Sequence, residues 1–299
     1  MNPLALYLAS GESLYSGAAL LLLLIVVSPL IKNRWLLRLR ALLLWVSLAL
    51  MAMACPPFPW WLDGVFFAAF LVWLIAGTKP PTPEAPPRRR FRLAATALLT
   101  LLTILLPALE IPWRLRPHFT GPRAGRLVVI GDSISSGIGA ETPWPGVLQA
   151  RAGIPVTNLS TPGAESSDAL DQAKKLTADD TLILLEIGGN DLIAGVGSAE
   201  FEARLNRLLA ACAAPNRTLI MFELPLLPHR IAYGRIQRRL AAQYHVQLIP
   251  KRFFIDVLGG AGATSDGLHL STAGAQHMAE VVDSLLGPLL MESTTTQLR

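Results

Sequence analysis

Ser133 stands directly after Val128, Val129, Ile130, Gly131 and Asp132. Three β-branched residues running into a glycine, an acid and a serine are the pattern of a buried parallel strand that presents a side chain at its carboxyl edge. In open α/β sheets that edge is where ligands sit. A serine hydroxyl is a weak nucleophile until a base takes its proton, and the base needs an acid to orient it. The segment Ser265-Asp266-Gly267-Leu268-His269-Leu270-Ser271 offers both. If that loop turns back on itself, Asp266 accepts from one ring nitrogen of His269 and the other nitrogen faces Ser133. Charge developing on an attacked carbonyl oxygen needs donors. The run Glu186-Ile187-Gly188-Gly189-Asn190-Asp191 supplies the Asn190 amide, and Thr161-Pro162-Gly163-Ala164 supplies a glycine at which backbone N–H can approach closely. Ser133 N–H, Gly163 N–H and the Asn190 side chain thus form a candidate three-donor oxyanion hole.

Taken singly, each group has an ordinary explanation. Gly-Asp-Ser is also a strand-ending turn, Asn190 beside two glycines is also a turn residue, and Asp266 is also an Asx-turn former. Asp132 is read as ordering the serine loop, Asp191 as supporting Asn190, and Glu186 as a member of a supporting polar network, because a charge inside an apolar strand is costly unless paired. The conjunction is more specific, since the groups follow the first, second, third and fifth of five expected strands.

Those strands are expected at Leu127–Ile130, Val156–Leu159, Thr181–Ile187, Thr218–Phe222 and Val246–Ile249, with helices at about Pro145–Ala152, Ser167–Leu176, Ala199–Cys212, Ile231–Tyr244 and Thr272–Leu286. Alternation of strand and helix implies an α/β domain whose parallel sheet is covered on both faces.

The amino-terminal third is different in kind. With 52% hydrophobic and only 16% charged residues among 299, the chain is too apolar for one ordinary soluble domain, and the excess lies before residue 112. Four transmembrane helices are expected at about 14–31, 36–55, 60–76 and 93–111. The first is read as an uncleaved span, because Glu12 but no Lys or Arg precedes it. Trp60 and Trp61 sit where an aromatic belt belongs. Lys32, Arg34, Arg38 and Arg40 in the first connection, and Lys79, Arg88, Arg89, Arg90 and Arg92 in the third, make those two connections cytoplasmic by the positive-inside rule. Both chain ends and the α/β domain then lie outside; Arg114, Arg116, Arg123 and Arg126 after the fourth span argue the other way. The net charge of +5 is accounted for by topology and lipid head groups without a nucleic-acid partner. Pro80–Pro87 reads as a stiff connector. The expected organisation is a membrane domain over 1–112, a linker over 113–125, the α/β domain over 126–290 and a tail over 291–299. Cys55 and Cys212 read as packing residues, and His118, His229, His245 and His277 show no metal-ligand spacing, so neither metal nor cofactor is expected.

Gly131-Asp132-Ser133-Ile134-Ser135, Gly163, Gly188-Gly189-Asn190-Asp191 and Asp266-Gly267-Leu268-His269 resemble, in order and approximate spacing, the four blocks of the SGNH (GDSL) hydrolases. The resemblance covers roughly Arg126 to Leu286. It looks nearest to the branch of bacterial thioesterases, lysophospholipases and arylesterases, including Trp144-Pro145 after the serine loop. It implies a flavodoxin-like three-layer α/β/α fold and a Ser-His-Asp mechanism on ester or thioester bonds. Carried over by position, Ser133 is the nucleophile, His269 the base, Asp266 its partner, and Gly163 and Asn190 oxyanion donors. The soluble members lack the four spans, so their substrate preferences do not transfer. The expected partners are the lipid bilayer and an acylated lipid or glycan. O-acetyl transfer to or from an envelope glycan is an alternative, as is a membrane scaffold with a degenerate hydrolase domain.

Overall fold

The computed structural model describes residues 2–31, 33–54, 56–77, 86–226 and 230–290. Cys55, His229, the tail 291–299 and most of the Pro80–Pro87 connector lie outside the described residues. Two compact units divide the chain, one built on Tyr7–Pro112 and the other on Trp113–Leu226 together with the described residues from Arg230 on.

The chain begins with a short helix, α1 (Pro3–Ala9). The first unit is then four helices: α2 (Glu12–Val27), α3 (Arg34–Met53), α4 (Trp60–Gly77) and α5 (Pro86–Glu110). Leu21, Leu44, Phe70, Trp73 and Leu99 meet in their shared interior. At the α2–α3 crossing a Cβ on Gly17 would lie 2.6 Å from the Ser47 carbonyl oxygen, the close backbone approach that packs helices where no water drives them together. The outer surface is apolar, with Leu23, Trp45, Trp60, Phe67 and Leu101 exposed, a surface suited to lipid rather than water. Among the described residues, three stretches are long and apolar enough to cross a membrane: Glu12–Leu30, Arg34–Met53 and Pro87–Trp113. The helix expected as the fourth, Trp60–Ala76, is apolar but shorter than these three. Pro56, Pro57 and Pro59 prevent it from starting earlier.

The second unit runs β1 (Leu127–Gly131), α6 (Ser133–Ser136), α7 (Trp144–Ala152), β2 (Val156–Asn158), α8 (Ala169–Ala173), β3 (Leu182–Glu186), α9 (Gly189–Ile193) and α10 (Ser198–Cys212). It continues with β4 (Thr218–Phe222), α11 (Ile231–Gln243), β5 (Gln247–Ile249), α12 (Lys251–Gly259) and α13 (Thr272–Leu290). The five strands form one parallel sheet in the order β2-β1-β3-β4-β5. Leu127, Val129, Leu182, Leu184, Ile220 and Phe222 pack against Trp144 and Leu148 of α7, Val257 of α12 and Met278 and Val282 of α13. The intervening Val128, Ile130, Ile183, Leu185, Leu219 and Met221 are equally buried on the opposite face, the face of α8, α10 and α11. Burial on both faces is why these strands read as continuous apolar runs. The helix expected at Ser167–Leu176 is only α8 (Ala169–Ala173), and α12 was not among the expected helices. Its buried positions Phe254, Ile255, Val257 and Leu258 form an apolar stripe over only nine residues, too short a run to stand out as helical periodicity.

Candidate active site

In the strand order 2-1-3-4-5 the chain reverses its winding between β1 and β3, and the crevice beyond the carboxyl ends of those two strands is where such sheets bind ligands. Ser133 follows β1 and Asn190 follows β3, one on each side of that crevice. Asp132 caps α6, its Oδ1 accepting from Ile134 N at 3.0 Å, and so orders the loop that carries Ser133. Gly137 ends the turn with φ +92°, and a Cβ there would lie 2.5 Å from Pro143. Ser133 is 6% exposed, and its hydroxyl has no hydrogen-bond partner among the described residues.

Asn190 donates through Nδ2 to Asp132 Oδ2 at 3.2 Å and to the Ala164 carbonyl at 3.0 Å. One amide therefore ties together the loops after β1, β2 and β3. Both of its protons have acceptors, so donation to an oxyanion requires one of these bonds to be shared. Gly163 has φ +74° with open space around its missing Cβ, so the backbone conformation, not crowding, favours glycine there. Neighbouring Asp191 is fully buried and accepts from both N and Oγ of Ser166, at 2.8 and 2.7 Å, which pins the β2 loop to α9.

Asp266 and His269 sit on a small hairpin closed by the Thr264–Leu270 bridge and by Ser265 N donating to the His269 carbonyl at 2.9 Å. Asp266 Oδ1 accepts from the backbone N–H of Leu268 and His269, and its Oδ2 lies 2.6 Å from His269 Nδ1. The imidazole bond first, and then the two backbone donors, hold the Asp266 carboxyl well below the usual carboxylate range. This hairpin packs on the serine loop: a Cβ on Gly139 would lie 2.6 Å from Ser265 Oγ and 3.0 Å from the Leu270 carbonyl. The bond between Ser133 and His269 is not closed, as is common where no substrate is bound.

Beneath Ser133 lies a buried polar network only partly foreseen from Glu186. Ser135 Oγ donates to Glu186 Oε2 at 2.8 Å and accepts from Trp144 Nε1 at 3.1 Å, while Glu186 and Asp132 hydrogen-bond to each other. Gln172 brackets the end of β1, accepting from Gly131 N at 3.0 Å and donating to its carbonyl at 2.9 Å. Nothing in the local pattern of a short helix marked Gln172 out, because its partners, the Gly131 backbone and Thr161 Oγ1, lie outside that helix. Burial pushes the Glu186 carboxyl well above its ordinary range, and Asp132 beside it pushes in the same direction. Burial likewise raises Asp132, to about 6. Two carboxyls this close and this dry disfavour double ionisation, so each raises the other's hold on a proton.

Carboxyls whose folded-state pKa values are raised favour the fold while protonated. That contribution is complete below their ordinary values near 4 and is lost as pH rises through about 6 and beyond. Glu186→Gln keeps the neutral, hydrogen-bonding form at every pH. Its thermal midpoint is therefore expected to fall less between pH 5 and pH 8 than that of the unsubstituted chain, measured by differential scanning fluorimetry on both. Parallel pH profiles would remove the raised Glu186 carboxyl from this account.

The sequence profile described as the GDSL-like Lipase/Acylhydrolase family matches residues 129–277. Esterase TesA of Pseudomonas aeruginosa is 30% identical over 183 residues, covering 56% of this chain and 90% of that protein. Thioesterase 1/protease 1/lysophospholipase L1 of Escherichia coli strain K12 is 26% identical over 185 residues, 58% of this chain and 88% of that protein. Among solved structures, a crystal structure of TesA superimposes with a TM-score of 0.50 at 30% identity, covering 55% of this chain and 99% of its own. On its profile match, on a relative aligned over nine-tenths of its length and on the shared fold, the chain belongs to the GDSL-like lipase/acylhydrolase family of SGNH hydrolases and is a hydrolase.

Proposed function

We propose that the chain is a membrane-anchored serine hydrolase that cleaves acyl esters or thioesters through an acyl-enzyme on Ser133. In this reading His269 takes the Ser133 proton as the hydroxyl oxygen attacks the acyl carbon. Asp266 holds the imidazole in the tautomer protonated at Nδ1 and stabilises the imidazolium that forms. Ser133 N–H, Gly163 N–H and Asn190 Nδ2 receive the negative charge on the former carbonyl oxygen. Collapse expels the alcohol or thiol, which takes the proton from His269, and water then repeats the sequence to release the acid. The observation that carries the reading is the Asp266–His269 pair at 2.6 Å, on a hairpin packed against the serine loop. The names of the relatives, an esterase and a thioesterase/lysophospholipase, support acyl esters and thioesters as the substrate class.

The membrane part of the proposal takes α4 as a fourth crossing. At 1.5 Å per residue its 18 residues reach about 27 Å, close to the thickness of the hydrocarbon layer. Four crossings leave both basic connections on the cytoplasmic side and the hydrolase unit outside. Spheroplasts carrying the full chain are expected to hydrolyse a charged, membrane-impermeant acyl ester without being lysed. Hydrolysis only after lysis would reverse the orientation, and none even after lysis would sink the hydrolase assignment.

A further inference from the structure

A cavity of about 130 Å³ opens within the helical unit, lined by Ile25, Ser28 and Pro29 at the end of the first span, Arg40 of α3, Trp73 and Ala76 of α4, and Arg92 and Thr96 of α5. It lies where α2 and α4 end and α3 and α5 begin, the end of the bundle that carries both basic connections. Among the described residues, its lining holds two guanidinium groups and no carboxylate.

Arg40 is six residues inside α3 from Arg34, about 9 Å along the axis at 1.5 Å per residue. A cation at that depth in an apolar bundle is costly unless it reaches water, a polar partner or an anion. Its head group is held in place. Nε donates to Ser28 Oγ at 2.8 Å, and the guanidinium lies 5.5 Å from the centroid of the Trp73 ring. The hydroxyl of Ser28 in turn donates to the Leu24 carbonyl, and Thr96 Oγ1 donates to the Arg92 carbonyl at 2.9 Å. The hydroxyls therefore answer the protein, which leaves the terminal amino groups of Arg40 as the donors offered to a ligand. A fixed planar fork of N–H groups, with a second guanidinium on the facing helix, suits a tetrahedral oxyanion with several acceptor oxygens.

We propose that this cavity binds a phosphate group, carried by the head group of an anionic phospholipid or present as free phosphate. The site is separate from the Ser133 chemistry and rests on the helical unit alone. A lipid bound there would fasten all four helices at one membrane face.

The test uses the full chain in detergent, with binding read by native mass spectrometry and by the shift in melting temperature. The probes are dioctanoyl phosphatidylglycerol, dioctanoylglycerol as its phosphate-free counterpart, and sodium phosphate against sodium chloride at equal ionic strength. Phosphatidylglycerol is expected to bind at least tenfold more tightly than dioctanoylglycerol. Arg40→Gln should remove that preference, Arg40→Lys should retain part of it, and Arg88→Gln, a change at an exposed arginine in the first turn of α5, should leave it intact. Stabilisation by sodium phosphate that Arg40→Gln abolishes identifies free phosphate as a ligand of the site; preference for the lipid alone identifies the head group. Equal binding of the two lipids together with no specific effect of phosphate overturns the proposal. So does a loss in Arg88→Gln equal to that in Arg40→Gln, which would mark general charge attraction.

Discussion

Ser133→Ala is expected to lower kcat on an acyl ester by roughly a millionfold, the scale on which a catalytic serine acting as a unit with its base fails. The substitution removes one buried oxygen that has no hydrogen-bond partner among the described residues, so the fold has little reason to suffer. Stability should change by less than about 1 kcal/mol, the range of substitutions that break no cap, network or core contact. Asp132, not Ser133, supplies the cap of α6. Labelling by a fluorophosphonate should vanish with the same substitution, since it needs the Oγ nucleophile. The informative comparison is the double variant. If Ser133 and His269 act as one device, Ser133→Ala with His269→Ala should be no slower than Ser133→Ala alone, because an imidazole with no hydroxyl to activate contributes nothing. Losses that multiplied would mean two independent roles and would break the proposed triad. A Ser133→Ala protein that still turned over at a tenth of the original rate would move the chemistry to another residue.

The legibility of this site in the sequence follows the range of the interactions that build it. Val128 to Ile130 announced a buried parallel strand because burial on both faces demands an apolar run, and the register of β1 on β3 then decides which loops meet. The pairing of Asp266 with His269 was open to inference because a carboxylate three residues before an imidazole needs only a glycine turn, here Gly267 at φ +88°, to close the bond. Asp132 caps its helix by the same local logic. Glu186 was visible as an anomaly, an acid inside an apolar strand, yet its partners Asp132 and Ser135 lie on the neighbouring strand's loop, and only strand order brings them together. Gln172 and Gly139 were silent, since the first bonds backbone groups and the second matters only for what a side chain there would strike. In the helical unit, composition marked the apolar runs well and their ends poorly. Pro56, Pro57 and Pro59 limit α4 at its start, while α5 extends to Pro86, in front of the arginines expected to lie outside it.

Asn190→Ala should lower kcat by about a hundredfold to a thousandfold, the measured scale for losing one oxyanion donor, while KM changes by no more than a few fold. The split matters because Asn190 also has a plain structural role. Its amide bridges Asp132 Oδ2 and the Ala164 carbonyl, and removing it leaves Asp132 with one partner fewer above a buried Glu186. A purely structural loss would lower the melting temperature and disturb substrate binding and turnover together. Loss of a donor aimed at the transition state lowers kcat and kcat/KM alike, with the ground-state complex little altered. Asn190→Asp separates the two further. It is nearly the same size, but as a carboxylate it offers acceptors to a developing oxyanion and to Asp132, where donors are needed. It should therefore be at least as slow as Asn190→Ala, and it should regain stability as pH falls and carboxyls in this cluster become protonated. An Asn190→Ala enzyme with kcat within threefold of the unsubstituted chain would confine Asn190 to joining the loops after β1, β2 and β3. The charge on the reacting oxygen would then rest on the backbone N–H groups of Ser133 and Gly163 alone.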